Sequence, residues 1–178
     1  MRVITGTARG MSLKTLEGET TRPTTEKVKE AVFSAVQFEI EGRRVLDLFA
    51  GSGQMGIEAL SRGAESAVFV DADKNAIKII KENVEKTRLS EKAQIMQMDA
   101  MGFLNMNIRK FDLIFLDPPY STGLLEKALK NVADFVAEGG VVICEHPFSE
   151  ELPEENEGLT RYRSYKYGKT AVTIYRKD

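Results

Sequence analysis

The chain contains 178 residues, of which 42% are hydrophobic and 29% are charged, and its formal net charge is −2. These values exclude a fibrous or disordered protein and predict one globular domain, long enough to bury a core without disulfides. No apolar run reaches the roughly 18 residues of a membrane span, and the N-terminal MRVITGTARG lacks the apolar segment of a signal peptide. We therefore expect a bacterial-type cytoplasmic protein that has no membrane partner.

Basic residues are concentrated at the two ends of the chain. In residues 1–29 and again in residues 158–178, Lys and Arg outnumber Asp and Glu, whereas the middle of the chain is acidic. A net charge near zero neither favours nor excludes nucleic acid, but two local basic segments can attract phosphates.

Residues 1–43 read as an extension that precedes a core of residues 44–178 within one domain. RVIT and MSLKT flank Gly10 and predict a short N-terminal β-hairpin. TRPTTEKVKEAVFSAVQF then predicts a helix, because its apolar residues recur at helical spacing and Thr24 can cap its start.

From Arg44 onward, strand patterns and helix patterns alternate. We predict strands at VLDLF, SAVFV, AQIMQM, FDLIFL and GVVICE, and helices near 53–62, 73–88, 100–107 and 122–137. This alternation predicts an α/β fold in which a mostly parallel sheet has helices on both faces. LTRYRSYKYGKTAVTIYRK adds an antiparallel hairpin with its turn at Tyr167-Gly168-Lys169, for a total of seven strands.

A glycine-rich turn, VLDLFAGSGQMG, joins the first core strand to the next helix. Gly51, Gly53 and Gly56 form a G-x-G-x-x-G, which lets the backbone turn sharply and a ligand approach closely. The same motif occurs in NAD-binding folds, so it does not identify the cofactor by itself. Asp71 ends the second strand, where a carboxylate can accept hydrogen bonds from two ribose hydroxyls. Asp73 is the predicted N-cap of the next helix.

Two other aspartates at strand ends bear on the choice of cofactor. Asp47 lies near the end of the first strand, where a buried carboxylate needs a charged or hydrogen-bonded partner. The α-ammonium of S-adenosylmethionine is such a partner, whereas NAD has no ammonium. Asp99 ends the third strand and can either accept a hydrogen bond from the adenine amine or cap the following helix.

The sequence FDLIFLDPPYS ends the fourth strand abruptly. Proline lacks the N–H that a strand ladder needs, so the chain must leave the sheet at Asp117 in a stiff turn. Such a turn can hold the Asp117 side chain and the Pro118 carbonyl in fixed positions. Near the fifth strand, we interpret Cys144, the single cysteine, as a buried strand thiol. We interpret His146, the single histidine, as a loop residue rather than a catalytic base.

Four strand-end sequences, DLFAGSG, VFVD, MDA and DPPY, resemble the class I S-adenosylmethionine-dependent methyltransferases, whose Rossmann-like fold the resemblance implies for residues 44–145. Within that class, D/N-P-P-Y/F after the fourth strand is similar to enzymes that methylate amino groups. Arg9-Gly10 and the T-R-P-T-T of residues 21–25 extend the likeness over almost the whole chain. As a whole, the chain resembles the small bacterial 16S ribosomal RNA guanine-N2 methyltransferase family.

That resemblance implies methyl transfer from S-adenosylmethionine to the exocyclic N2 amine of a guanine, with S-adenosylhomocysteine as product and without a metal. The implied cofactor-binding residues are Asp47, Phe49, Ala50, Gly51, Ser52, Gly53, Asp71, Ala72, Asp99 and Ala100. The implied catalytic residues are Asp117, Pro118, Pro119 and Tyr120, and the implied RNA contacts are Arg9, Lys14, Arg22 and Thr24. The Asp117 side chain and the Pro118 carbonyl would accept the amine N–H groups, while Tyr120 stacks on a base that has left its helix. The expected partner is 16S ribosomal RNA or the small ribosomal subunit, and we expect a monomer or a weak dimer.

Other functions share parts of this pattern and stay open. An adenine-N6 methyltransferase acting on DNA or RNA would use the same DPPY turn, although a DNA enzyme normally carries a separate target-recognition region. Glutamine methyltransferases that act on release factors generally read N-P-P-Y, from which Asp117 departs. A non-catalytic RNA-binding scaffold is a third interpretation. The presence of all the site residues argues against it: Asp47, Gly51, Gly53, Asp71 and Asp117.

Overall fold

A computed structural model describes residues 1–17, 26–106 and 109–178 of the chain. The helices are α1 Glu26–Ala35, α2 Gln54–Ser61, α3 Lys74–Lys86, α4 Ala100–Leu104 and α5 Leu124–Asn131. The strands are β1 Arg44–Asp47, β2 Ser66–Asp71, β3 Ala93–Gln97, β4 Phe111–Leu116, β5 Val136–Pro147, β6 Glu155–Asn156, β7 Leu159–Tyr167 and β8 Thr170–Lys177. None of the described helices has the length and apolarity to cross a membrane.

The strands form one mixed sheet in the order β3-β2-β1-β4-β5-β8-β7-β6. The five strands from β3 to β5 are parallel, and β8 runs antiparallel to both β5 and β7. The predicted seven strands and C-terminal hairpin are confirmed, and the two-residue β6 is added at the edge. Chain order reverses between β1 and β4, which opens a crevice at the carboxyl ends of these strands.

The central strands contribute side chains to two hydrophobic cores, one on each face of the sheet. Val45 and Leu113 lie in the core that is covered by α1, α2, α3 and the N-terminal segment. Their chain neighbours Leu46 and Ile114 lie in the opposite core, under α4 and α5. Because successive strand residues point to opposite faces, a strand covered on both sides must be apolar throughout. The prediction of helices on both faces is confirmed.

The N-terminal segment forms a short, irregular version of the predicted hairpin. Beside its antiparallel bridge, the Val3 amide donates to the Met11 carbonyl at 2.9 Å. The next amide, that of Ile4, donates to both carboxylate oxygens of Glu58, each at 3.0 Å, and Glu58 is fully buried in α2. The backbone of this segment therefore forms hydrogen bonds both within itself and to the core.

Gly6 and Ser61 fix where this segment crosses α2. The hydroxyl of Ser61 accepts a hydrogen bond from the Ala8 amide at 2.9 Å and donates one to the Thr5 carbonyl at 2.7 Å. Gly6 has φ +92°, and a Cβ at this position would lie 1.8 Å from the Ser61 carbonyl oxygen. Only glycine permits so close an approach between the two backbones.

Two predicted helix boundaries differ from those observed, and a third lies outside the described residues. The helix predicted over 122–137 ends at Asn131, and Val136 already belongs to β5, where it pairs with Phe111 of β4. This pairing is between residues distant in sequence, so local helical periodicity does not reveal it. The helix predicted over 100–107 ends at Leu104. The proposed cap Thr24 belongs to a range that the structure does not describe.

Candidate active site

A cavity of about 470 Å³ lies at the carboxyl ends of the parallel strands. Its wall includes four aspartates that follow or end β1, β2, β3 and β4, namely Asp47, Asp71, Asp99 and Asp117. Parallel strands bring these residues together because their carboxyl ends meet at the same edge of the sheet. Four carboxylates from separate parts of the chain therefore surround one space.

Asp71 holds the glycine-rich turn in place. Its Oδ2 accepts a hydrogen bond from the Gly51 amide at 2.9 Å, and its Oδ1 accepts one from the Asp73 amide at 2.9 Å. Gly51 and Gly53 have φ values of +56° and +81°, a region that favours glycine. The Asp71 carboxylate thus orients the loop that forms one side of the cavity, and its contact with a ribose stays a prediction.

Asp47 is buried at the first turn of α2. It is 3% exposed, and its Oδ2 accepts a hydrogen bond from the Gly56 amide at 3.0 Å. A carboxylate at a helix N-terminus is stabilised by the free amides of the first turn. Gly56 itself lies against β2, since a Cβ there would approach Phe69 Cε1 to 2.3 Å. The last glycine of the motif therefore serves helix packing.

Asp73 and Asp99 both cap helices. Asp73 Oδ1 accepts a hydrogen bond from the Asn75 amide at 2.8 Å at the start of α3, which confirms the predicted cap. Asp99 Oδ2 accepts one from the Gly102 amide at 3.1 Å at the start of α4, so the cap alternative for Asp99 is also confirmed. Asp99 is exposed and lines the cavity. A contact between Asp99 and an adenine amine remains compatible with its capping role.

The predicted cofactor residues do not all line the cavity. Those that do are Asp47, Phe49, Ala50, Gly51, Asp71, Ala72, Asp99 and Ala100. Ser52 and Gly53 lie in the same turn but outside the lining: Ser52 is buried, and its carbonyl accepts a hydrogen bond from Asn83. Lining residues that the sequence pattern did not single out are Leu16, Glu17, Leu48, Gln54, Met55 and Leu124. Gln54 and Met55 fill two of the three variable positions of the glycine motif, whereas no motif in the surrounding sequence points to Leu16 or Glu17.

The groups around the cavity fit S-adenosylmethionine better than a dinucleotide. Carboxylates can accept hydrogen bonds from an ammonium and from ribose hydroxyls, whereas four of them would repel a pyrophosphate. Gln54 Oε1 is a further buried acceptor, and among the described residues it receives no hydrogen bond. No group of three or more His, Cys, Asp or Glu side chains is placed to hold a metal ion within the described part of the chain.

A second cavity, of about 300 Å³, meets the first at the DPPY turn. Pro119 lines both, and the second is also lined by Pro118, Tyr120 and the end of β5. The Tyr120 hydroxyl lies 3.5 Å from Glu145 Oε1 and 3.3 Å from Thr170 Oγ1. Tyr120 therefore faces the end of β5 with its hydroxyl, and its predicted stacking on a base stays untested.

His146 lies in β5, so its interpretation as a loop residue is wrong. It pairs with Ala171 of β8, and its side chain is buried. Nδ1 lies 3.0 Å from the Pro147 carbonyl, which can only accept, and Nε2 lies 2.8 Å from Thr173 Oγ1. Burial lowers the pKa of His146. Cys144 is a buried strand thiol as predicted, and burial raises its pKa.

The predicted RNA contacts do not form one cluster in the described structure. Arg22 and Thr24 lie outside the described residues. Arg9 is exposed beside a separate small pocket of the N-terminal segment. Lys14 Nζ forms an exposed ion pair at 2.6 Å with Glu82 of α3. Arg9 and Lys14 are therefore surface residues outside the large cavity.

Comparison with known proteins places the chain in a family. The family model described as Conserved hypothetical protein 95 matches residues 1–176. The chain belongs to this family. YlbH of Bacillus subtilis, a candidate rRNA methyltransferase, is 44% identical over 182 residues, which cover 99% of each chain. The ribosomal RNA small subunit methyltransferase D of Haemophilus influenzae is 32% identical over 93% of each chain.

Solved structures show that this family member has a methyltransferase fold. The Escherichia coli methyltransferase candidate yhhF superimposes with a TM-score of 0.89 at 29% identity, over 100% of this chain and 98% of that one. A 16S rRNA N2 methyltransferase of T. thermophilus, solved with AdoMet and guanosine, superimposes with a TM-score of 0.76 at 25% identity. That match covers 92% of this chain and 45% of the other.

Proposed function

We propose that this chain transfers a methyl group from S-adenosylmethionine to the exocyclic N2 amine of a guanine in the 16S RNA of the small ribosomal subunit. The position of the DPPY turn supports this function, because it separates a cavity lined by carboxylates from a second cavity open to another ligand. The names of the relatives agree: one is a small-subunit rRNA methyltransferase, and a structural neighbour is a 16S rRNA N2 methyltransferase.

The larger cavity would bind S-adenosylmethionine through the strand-end carboxylates. Asp71 would accept hydrogen bonds from the ribose hydroxyls while it holds the Gly51 amide, since each carboxylate oxygen can accept more than one. Asp47 would face the α-ammonium, and Asp99 the adenine amine. The glycine turn would lie against the methionine part, where it leaves room for the ligand.

The DPPY turn would activate the guanine amine. Bound S-adenosylmethionine supplies a methyl group that its sulfonium already activates. A base amine is a weak nucleophile because its lone pair is delocalised into the ring. Asp117 and the Pro118 carbonyl would accept its two N–H groups, direct the lone pair at the methyl carbon and stabilise the positive charge on nitrogen. The N–C bond forms as the C–S bond breaks, the sulfur keeps the electron pair, and the surplus proton leaves the amine for water.

The remaining expectations follow from the same function. The partner would be 16S RNA, free or within the small subunit, and the site of action would be the cytoplasm. We propose that residues 1–43 and 44–178 act as one domain, because the N-terminal segment shares a core with α2 and α3. A monomer or weak dimer suits a domain whose cavities are both built within one chain.

Mass spectrometry of nucleosides tests the proposed function. The protein is incubated with labelled S-adenosylmethionine and undermethylated small ribosomal subunits, and the RNA is then digested. We expect labelled N2-methylguanosine, and we expect Asp117→Ala to lower its rate by orders of magnitude while binding the cofactor almost normally. Detection of labelled N6-methyladenosine instead would show that the methylated base is adenine and not guanine. Absence of any labelled nucleoside, with cofactor bound, would favour the scaffold interpretation.

A further inference from the structure

We propose that Glu145 makes the enzyme specific for guanine by accepting the N1–H of the base whose N2 amine contacts Asp117. This inference rests on the proposed function, which it extends from the reacting amine to the choice of base. The ring edge of guanine presents an N2 amine, an N1–H donor and an O6 acceptor in that order. Adenine presents an amine beside an N1 lone pair and no hydrogen on N1.

Glu145 lies at the same level of the sheet as the catalytic turn. β4 and β5 are parallel neighbours in which Leu116 pairs with Cys144. Asp117 directly follows β4, and Glu145 is the next residue of β5, so the two lie on adjacent strands that are about 4.8 Å apart. A base that offers its N2 amine to Asp117 brings its N1 position toward the neighbouring strand.

The cavity beyond the DPPY turn can hold the base. Its volume of about 300 Å³ lies at the lower end of ordinary ligand pockets, about 300–1,000 Å³. Pro118, Pro119 and Glu145 all line this cavity. Pro119 also lines the larger cavity, so a base placed here would reach the methyl group across the turn.

A hydrogen-bond donor for O6, the atom group next to N1 on the guanine edge, lies beside Glu145. Glu145 is 7% exposed and is fixed in β5, so its carboxylate is held by a rigid strand. Tyr120 lines the same cavity, and its hydroxyl donates to Glu145 Oε1 at 3.5 Å. This hydroxyl would turn to donate to O6 while the carboxylate accepts from N1. Asp117, Glu145 and Tyr120 would thus offer two acceptors and one donor to the N2 amine, the N1–H and O6 of guanine.

An adenine in the same orientation would place its N1 lone pair against the carboxylate. Two acceptors then face each other, and a buried polar group loses its hydrogen bond. A site built to bond a substrate N–H or O–H rejects an analogue that lacks it by factors of about 10⁴–10⁵. Glu150 is the other carboxylate on this cavity wall, but it follows β5 in a loop and is more exposed than Glu145.

The test compares guanine with 2-aminopurine, which keeps the N2 amine but has a bare N1 lone pair and lacks O6, so the Glu145 variant is what isolates the N1 contact. Small subunits are reconstituted with ligated 16S RNA that carries either base at the mapped methylation position, and single-turnover rates are measured. For the wild-type protein we expect guanine to react at least about 100-fold faster. In Glu145→Gln the amide can donate to a bare N1, so we expect this ratio to fall at least tenfold, chiefly because 2-aminopurine reacts faster.

Each result supports or overturns the role of Glu145. A wild-type ratio near one overturns it without any variant, as does an unchanged ratio in folded Glu145→Gln. Glu151→Gln, which removes a charge from an exposed neighbouring position outside the cavity lining, should keep the wild-type ratio. A shift in Glu150→Gln but not in Glu145→Gln would move the role to Glu150. Failure of the wild type to methylate guanine at all would instead reject the proposed function.

Discussion

Individual strand-end residues combine two tasks in this site. The Asp71 carboxylate organises the glycine turn through Gly51, and Asp99 caps α4 while it lines the cavity. Because backbone amides of the protein itself supply these bonds, they orient the two carboxylates toward the cavity. Preorganised acceptors need not lose side-chain freedom on binding, which favours affinity.

Asp71→Ala should weaken binding of S-adenosylmethionine while the protein stays folded. The change removes the expected ribose contacts and releases the Gly51 amide. Loss of hydrogen bonds to a charged group costs about 1.5–3 kcal/mol, and calorimetric titration measures it. Asp73→Ala provides the contrast, because it removes a helix cap and should lower the free energy of unfolding by about 0.5–2 kcal/mol. Normal affinity in folded Asp71→Ala, with a loss in Asp73→Ala, would assign the ribose to Asp73.

His146 should make the stability of the protein depend on pH below about 6.5. Its pKa is lowered by burial from the ordinary value of 6.5. Between the lowered value and 6.5 the unfolded chain binds a proton that the folded protein does not, so stability falls as pH decreases through this range. His146→Gln should flatten the dependence. Urea unfolding of both proteins between about pH 5 and 7 gives the free energy of unfolding at each pH. If it changed with pH equally in the two proteins, the role of His146 would be refuted.

At the level of elements, the packing of α2 on β2 depends on a residue without a side chain. A Cβ at Gly56 would lie 2.3 Å from Phe69 Cε1, and the ring of Phe69 is fully buried and cannot move away freely. The same helix carries Glu58, which binds the Ile4 amide, and begins at the glycine turn. A shift of α2 would therefore disturb both the N-terminal segment and the cofactor cavity.

Gly56→Ala should destabilise the protein by about 1–3 kcal/mol because the added methyl group overpacks the core. Gly102→Ala is the matched control, since Gly102 also lies in a helix but its added Cβ would meet nothing nearer than Met98 Cε at 3.7 Å. We expect that control to be neutral or to gain about 0.5–1 kcal/mol. Denaturant unfolding compares the two variants. Combining Gly56→Ala with Phe69→Leu should restore part of the lost free energy of unfolding. Equal effects at the two glycines would refute the packing explanation.

At the level of the whole molecule, two basic surfaces could bind the RNA backbone. In the N-terminal part of the chain the described candidates are Arg9 and Lys14, and the third predicted contact, Arg22, lies outside the described residues. The other lies on the C-terminal hairpin, where Arg163 and Arg176 contact the ring of the exposed Tyr162. Arginine beside an exposed aromatic ring suits stacking on unpaired bases as well as phosphate contact.

The triple variant Arg9→Ala, Lys14→Ala and Arg22→Ala should bind the ribosomal substrate more weakly and with a shallower salt dependence. Each lost phosphate contact lowers the slope of log affinity against log salt by about 0.7–0.9. Lys14 already forms an ion pair with Glu82, so we expect Lys14→Ala to contribute least to the change in the salt dependence. Filter binding at several salt concentrations measures the slope, and cofactor affinity serves as the control. An unchanged slope would indicate that the RNA phosphates contact the C-terminal hairpin instead, through Arg161, Arg163 and Lys166.

The sequence by itself determined the features that depend on neighbours along the chain. The alternation of strands and helices, the C-terminal hairpin and the cap at Asp73 follow from local periodicity, turn residues and hydrogen bonds over two or three positions. The gathering of strand-end aspartates was predictable too, because a parallel sheet places all these ends at one edge. The family motifs pointed to the same fold and chemistry.

Only the tertiary structure decided the features that depend on residues distant in sequence. Val136 starts a strand because β4 lies beside it, and His146 belongs to a strand because β8 pairs there. The Ile4 amide of the N-terminal hairpin donates a hydrogen bond to Glu58, a residue 54 positions away. Packing also brings the Tyr120 hydroxyl to Glu145, which lies 25 positions away in the sequence. Such contacts form when packing brings distant segments together, so the sequence around each residue does not predict them.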